Sequence, residues 1–247
     1  MPLKITTLAE RPEFAPGIWD MDHTWHPFML EDPVADLFYP LATTTLSEYV
    51  LVADDEAEPG RLVARASMTP FRSNGTELPD DGWDGVIRSG WLARARDETP
   101  DAISALEITI RRDLLGTGLS SVMLGAMREH AARLGYCELV APVRPTMKHL
   151  EPHTPMSEYA FRNRADGLPH DAWLRVHVRA GGKIVKVAPR SMVVAGTLAE
   201  WREWTGLPFD RTGTVEVPGA LTPVHCDVEH DHAVYVEPNV WVSHPLT

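Results

Sequence analysis

Residues 110–124 read Ile-Arg-Arg-Asp-Leu-Leu-Gly-Thr-Gly-Leu-Ser-Ser-Val-Met-Leu, with Gly116 and Gly118 two positions apart. A glycine-bearing turn that opens onto a helix leaves the first helical N–H groups free. Together with the positive end of the helix dipole they make an anion site. Glycine also lets the backbone approach a phosphate with no β-carbon in the way. Two other clusters carry ligating side chains. In His225-Cys-Asp-Val-Glu-His-Asp-His232 the alternation of a strand would put His230 and His232 on one side, as metal ligands stand. Residues 229–231 read instead as a polar turn, where such groups are solvated. In Asp22-His-Thr-Trp-His26 the histidine spacing suits a helix, but Pro27 ends it at once. No metal is expected. There is no CxxC pair, and no Gly-x-Ser-x-Gly elbow for hydrolysis.

The elements around the glycine turn must position it. Residues 102–110 alternate as a strand, with Leu106, Ile108 and Ile110 on one face and Glu107 and Thr109 on the other. From 119 to 134, Leu119, Val122, Met123, Met127, Ala131 and Leu134 recur at helical spacing, and Gly135 suits the position after the helix. Upstream, residues 48–54 and 61–69 are β runs around a Pro59-Gly60 turn, an antiparallel hairpin. Residues 8–42 are rich in aromatics, are broken by five prolines, and read as one or two short helices. Residues 73–101 read as an inserted loop or short helix, amphipathic over 82–96. Downstream come a strand over 136–143, helices over 155–164 and 170–180, and a strand over 184–194. A helix over 197–205 follows, capped by Thr197 and stopped at Gly206, and then strands over 213–217, 222–227 and 233–241. No repeat or linker divides residues 1–247, so one domain is expected.

Three nucleotide ligands compete for the turn. A P-loop needs Gly-Lys-Ser/Thr, which is absent. A dinucleotide site would use Ser121 as its third small residue and Glu138 as its ribose contact, but that fold wants repeated βα units rather than a hairpin before the turn. Coenzyme A is the third. The order helices, hairpin, strand, Gly-x-Gly turn with helix, strand, helix, strand resembles the GCN5-related N-acetyltransferase fold. Residues 110–120 resemble that family's acetyl-CoA motif, Gln/Arg-x-x-Gly-x-Gly/Ala. Gly118 matches the middle glycine and Gly116 fills a common extra position. Leu115 stands where the family has Gln or Arg, and Ser120 where it has Gly or Ala. The resemblance covers residues 45–190 well and the N-terminal helices loosely.

The resemblance implies an α/β (α+β) chain with a mixed, mostly antiparallel central sheet, flanked by helices and splayed at the acyl-CoA site. It implies acetyl-CoA as co-substrate and direct transfer of an acetyl group to an amine within a ternary complex. The pyrophosphate would rest on backbone N–H groups of Leu115, Gly116, Thr117, Gly118, Leu119, Ser120 and Ser121, with Ile108, Thr109 and Ile110 of the preceding strand alongside. Glu107 becomes the candidate base that takes the ammonium proton. In Asp171-Ala-Trp-Leu-Arg-Val-His-Val-Arg-Ala-Gly181 the family often carries a tyrosine four residues before the glycine, to protonate the leaving thiolate. Here that position is His177, whose ordinary pKa near 6.5 suits a donor at neutral pH. Residues 1–45 would flank the acceptor cleft with Trp19, Asp22, His23 and His26, and Arg144 follows the strand at its mouth. Residues 46–190 would form the acyl-CoA core. Residues 191–247 would be a β extension with a short helix, covering the sheet end or forming a homodimer interface. Two alternatives stay open: a CoA-binding member that no longer transfers, and an NAD-type oxidoreductase.

The 247 residues carry 23 basic and 35 acidic side chains, a net charge of −12. That excess argues against a nucleic-acid binder and slightly favours a cationic acceptor, whether small molecule or peptide. The longest apolar run, residues 49–53, is far short of the roughly 20 residues of a membrane span. Two cysteines build no disulfide framework, and no signal-peptide core opens the chain. A cytoplasmic protein without membrane contact is expected.

Overall fold

The computed structural model describes residues 3–246 except 59, 74 and 76, so Pro59 of the expected hairpin turn lies outside the described residues. The expected hairpin is present as β2 (Val50–Asp55) and β3 (Leu62–Phe71), and β4 (Ala102–Ile110) pairs antiparallel with β3. Before them lies a strand the sequence did not announce, β1 (Leu3–Thr7), antiparallel to β2. The expected N-terminal helices are not formed. Prolines at 12, 27 and 33 each open a single 3₁₀ turn, and only a four-residue helix, α1 (Tyr39–Ala42), follows. Proline suits a first turn but breaks the hydrogen-bond ladder of a longer helix.

After β4 the chain enters α3 (Leu119–Arg133) and then β5 (Glu138–Val143), parallel to β4. Between β3 and β4, α2 (Gly82–Ala95) forms the helix, one of the two readings of residues 73–101, and it buries Trp83, Val86 and Ile87. β4 and β5 pair only at Ser104 and Val140; beyond that point they part, and residues 106–110 of β4 have β3 on one side and no strand on the other. The sheet is mixed, mostly antiparallel, and open at this split.

The rest of the chain corrects the expectation that residues 191–247 are an added extension. α4 (Met156–Tyr159), α5 (Ala172–Arg179), β6 (Lys183–Gly196) and α6 (Leu198–Thr205) lead to β7 (Gly213–Val215), β8 (Val224–Asp227) and β9 (His232–Pro245). β9 enters the sheet interior, with β6 along one edge and β5 and β8 end to end along the other. α6 carries the Thr197 cap and ends at Gly206 in the left-handed region (φ 71°), as the sequence indicates.

Two apolar layers hold the sheet. On one face Leu119, Met123, Met127 and Ala131 of α3 pack with Ala64, Ala66, Met68, Ile103 and Ile110. On the other, Phe14, Ile18 and Phe38 from the N-terminal turns and Ile87 of α2 cover Val50 and Val52. Val122, expected in the α3 stripe, is exposed. Leu106 is also misassigned by simple alternation. Glu107 pairs with Ser67 and Ala105 with Met68, so Leu106 is an extra β4 residue in a bulge. Its side chain joins the N-terminal face, while Ile108 and Ile110 stay on the α3 face.

Candidate active site

The glycine turn leaves a run of backbone N–H groups open. Gly116 and Gly118 sit at φ 76° and 87°, where a β-carbon is strained, and no protein atom lies within 4 Å of where one would stand. The Leu115 amide donates back to the Arg112 carbonyl at 3.4 Å, and the Ser121 amide to the Gly118 carbonyl at 3.0 Å. The five amides between them, at residues 116–120, meet no acceptor among the described residues. The cradle is therefore narrower by one residue at each end than expected. Thr117 Oγ1 donates to the Leu114 carbonyl at 2.7 Å and stiffens the turn. An acyl-CoA pyrophosphate fits here: five aligned donors, the start of a 15-residue helix and open space over both glycines.

Nine residues upstream, Glu107 stands on the stretch of β4 beyond the split. Its Oε1 accepts from the Ser67 hydroxyl at 3.2 Å and faces the Arg65 guanidinium at 3.4 Å; its Oε2 accepts from the Thr109 hydroxyl at 3.1 Å. Trp25 Nε1 donates to Thr109 Oγ1 at 3.4 Å, which ties the N-terminal segment to the same strand. Arg65 in turn donates to the Ile18 carbonyl at 2.7 Å and lies over the Trp19 ring, 4.8 Å from its centroid. Ile108 and Ile110 point away into the α3 core, so what they offer the gap is their backbone.

The residues expected to flank the acceptor fall in three places. Trp19, in T-shaped contact with Tyr39 at 4.8 Å, joins the Arg65–Glu107 cluster. Arg144 donates to Glu237 at 2.9 Å and to the Gly219 carbonyl at 2.5 Å; His26, stacked on Phe28, is packed against Gly219 on the same loop. Burial, and then Arg144 and His149, push the His26 pKa down. Asp22 and His23 lie elsewhere: both engage Arg112 beside the glycine turn, Asp22 by its exposed carboxylate and His23 by its carbonyl.

No family model matches the sequence. The arginine N-acetyltransferase avaD of Aspergillus versicolor is 30% identical over 271 residues, spanning 98% of this chain and 93% of that protein. The chain belongs to the GCN5-related N-acetyltransferases. The loading GNAT-like domain of CurA from Lyngbya majuscula shares the fold at a TM-score of 0.64 with 16% identity, covering 100% of this chain and 98% of that one. The GNAT-like decarboxylase GphF in complex with isobutyryl-CoA does so at 0.58, also with 16% identity and full coverage of both chains. As an acetyltransferase of this family the protein takes acetyl-CoA as co-substrate and an amine as acceptor. The free amides at 116–120 are the groups that would hold the cofactor's phosphates.

In this acetyltransferase His177 does not occupy the place expected of a proton donor. It is 2% exposed, its Nδ1 lies 2.9 Å from His244 Nε2, and its ring packs edge-on against Trp173. His244 pairs with Leu139 at the start of β5, whereas the gap opens beyond Val140, toward the other end of that strand. Burial, followed by the neighbouring His244, pushes the His177 pKa down to about 3. A neutral imidazole there has no acidic proton to give at pH 7. Tyr159 is no freer: it donates to Asp171 Oδ2 at 3.0 Å, and burial raises its pKa.

Several buried groups of the acetyltransferase were not singled out from the sequence. Arg65 is the one charge in an apolar run (Leu62–Phe71), which was a readable sign. Asp32, 2% exposed, opens the Pro33–Leu37 turn, and Asp84, 1% exposed, lies in the first turn of α2; both read as ordinary helix-start residues. Glu237, fully buried, accepts from Arg144, from the Tyr235 hydroxyl and from Asn239. At 225–232, His230 bonds Asp227 at the exposed turn, and among the described residues no three donors converge as a metal site would need.

Proposed function

We propose that the protein transfers the acetyl group of acetyl-CoA directly to a small cationic amine, with arginine the first acceptor to try. The observation that carries this reading is the line from Glu107 along the free edge of β4 to the amide cradle at 116–120. When bound, acetyl-CoA supplies an activated acyl carbon. The cradle and the edge of residues 108–110 fix its direction, and Glu107 takes the proton an ammonium must lose before its nitrogen can attack. Ser67, Thr109 and Arg65 hold that carboxylate in one orientation. His177 and Tyr159 are both engaged in buried hydrogen bonds, so solvent protonates the thiolate. The relative named above acts on arginine by its name, and the carboxyl groups buried on this side, those of Asp32, Asp84, Glu107 and Glu237, favour a cationic acceptor.

The protein would work in a reducing cytoplasmic setting. Its two cysteines are free, and no helix among the described residues is long and apolar enough to cross a membrane.

The test is thiol release from acetyl-CoA with arginine, agmatine, lysine and a neutral amine as acceptors, with product mass counting the acetyl groups added and fragment masses locating the modified nitrogen. Turnover of cationic amines with one acetyl added supports the proposal. Acetylation of neutral amines alone overturns the acceptor assignment.

A further inference from the structure

The first N–H groups of a helix have no partner inside it and must find one elsewhere. In α2 the side chain of Asp81, just before the first turn, caps nothing, and the Trp83 amide donates instead to Ser191 Oγ of β6 at 2.8 Å. Gly82 permits that approach, since a β-carbon there would stand 2.2 Å from the same oxygen. Ser191 lies in a bulge: β6 pairs Ala188 with Asn239 and Met192 with Glu237, so residues 189–191 face Pro238 alone. Its hydroxyl is fully buried and used twice, accepting from Trp83 and donating to Asn239 Oδ1 at 2.6 Å. Asn239 Nδ2 donates to Glu237 Oε1 at 3.0 Å, and Glu237 Oε2 accepts from Arg144 Nε at 2.9 Å. Arg144 directly follows β5, on one wall of the gap. At the other end of the chain the Trp83 indole holds the Leu106 carbonyl, on the β4 wall, one residue before Glu107. A single buried run of hydrogen bonds thus ties both walls of the gap together through β9, β6 and α2.

We propose that Ser191 is a positioning residue for acetyl transfer, holding Glu107 in register with the opposite wall of the gap. This role rests on Glu107 being the base that takes the ammonium proton of the acceptor. Ser191 acts through Trp83, whose main-chain and indole N–H groups clamp the bulge of β4 to the bulge of β6. A base works only within a hydrogen bond's length of the proton it takes, so a carboxylate displaced by about 1 Å loses much of its effect. The amide cradle at 116–120 is built from other residues and does not depend on the clamp. The joint needs a hydroxyl, which offers a lone pair to Trp83 and a proton to Asn239 at once; alanine offers neither. A buried network is rigid only while each member is satisfied, so one missing hydroxyl loosens both ends.

The experiment is a double-mutant cycle on the full chain, using whichever amine of the set above turns over fastest. Ser191→Ala should lower kcat by about 10- to 100-fold, the scale of a misplaced catalytic group, with acetyl-CoA affinity unchanged in calorimetry. On a Glu107→Gln background the same change should cost less than about twofold, because the group it positions is already gone. Trp83→Phe cuts the chain at its other end while keeping most of the packing. It should show the same loss and the same disappearance of that loss without the Glu107 carboxylate, and it decides alone if Ser191→Ala does not fold. Equal losses with and without the carboxylate would mean a general loosening of the fold, and wild-type rates in both variants would mean that the clamp is idle. Either result overturns the positioning role and leaves Glu107 as the base. If Glu107→Gln itself turns over as the wild type does, the base assignment falls and the role of Ser191 with it.

Discussion

Trp83 donates its indole Nε1–H to the carbonyl oxygen of Leu106 at 3.2 Å. Leu106 is the β4 residue that β3 leaves without a partner, so the first turn of α2 fixes the bulge beside which Glu107 stands. Trp83→Phe keeps most of the packing but leaves that carbonyl without its donor. Stability should fall by about 1–3 kcal/mol in urea titrations, the cost of an unsatisfied buried group. Turnover should fall with acetyl-CoA affinity kept, since the cradle is formed by other residues. A variant as stable and as fast as wild type would show that the bulge holds itself.

Glu107→Gln preserves shape and keeps one oxygen acceptor, for either Ser67 or Thr109, while removing the basic carboxylate. Steady-state assays should show kcat lower by about 10²–10⁴-fold, the range of general base catalysis. Calorimetry should find acetyl-CoA binding unchanged. Full activity in this variant would assign the base to another group.

At the cradle, Gly118→Val forces a β-branched residue into φ 87° and fills the space over the amides. The strain costs about 1–2 kcal/mol of stability, and acetyl-CoA affinity should drop well beyond what that strain explains. Leu115→Arg works in the opposite direction. Leu115 is 52% exposed at the edge of the turn, so a guanidinium there reaches a phosphate without disturbing the core, and affinity should hold or rise. Equal affinity in Gly118→Val and wild type would move the phosphates elsewhere.

His177 and His244 predict an acid-labile fold. Unfolded, both rings titrate near 6.5. Folded, burial holds His177 to about 3 and His244 to about 4. The unfolded chain thus binds more protons below pH 6.5, so stability is full above that value and is lost as pH falls toward 4. Each ring contributes up to about 1.4 kcal/mol per pH unit. Urea midpoints at pH 7.5, 5.5 and 4.5 should fall in that order. The double change His177→Leu with His244→Leu should flatten the fall while leaving kcat at pH 7.5 as it was. A loss of kcat at unchanged stability would restore His177 to a catalytic role.

The parts of the site that lie within one stretch of sequence were legible. Glycine spacing, the periodicity of α3 and the facing of Glu107 and Thr109 are local patterns, and the structure shows each of them. The bulge was nearly invisible, because Ala102–Ile110 alternates acceptably in either register; the adjacent apolar pair Ala105-Leu106 is its one trace. Asp32, Asp84 and Glu237 escaped because each looks ordinary in its own segment, and their meaning arises only when three distant elements meet. His177 was misplaced for the related reason that helical spacing does not say which end of a neighbouring strand a residue faces. The slot of β9 could not be read either, since strand order is a matter of long-range pairing rather than of local propensity.

That slot has a consequence for biogenesis. Until residues 232–245 have left the ribosome, β5 lacks its outer neighbour and β6, more than 30 residues upstream, has no strand at all to lie against. A nascent chain paused before this point carries two sticky edges together with an already formed β1–β4 meander. Closure of the sheet therefore waits on the synthesis of residues 232–245, and the β5 and β6 edges stay open until then.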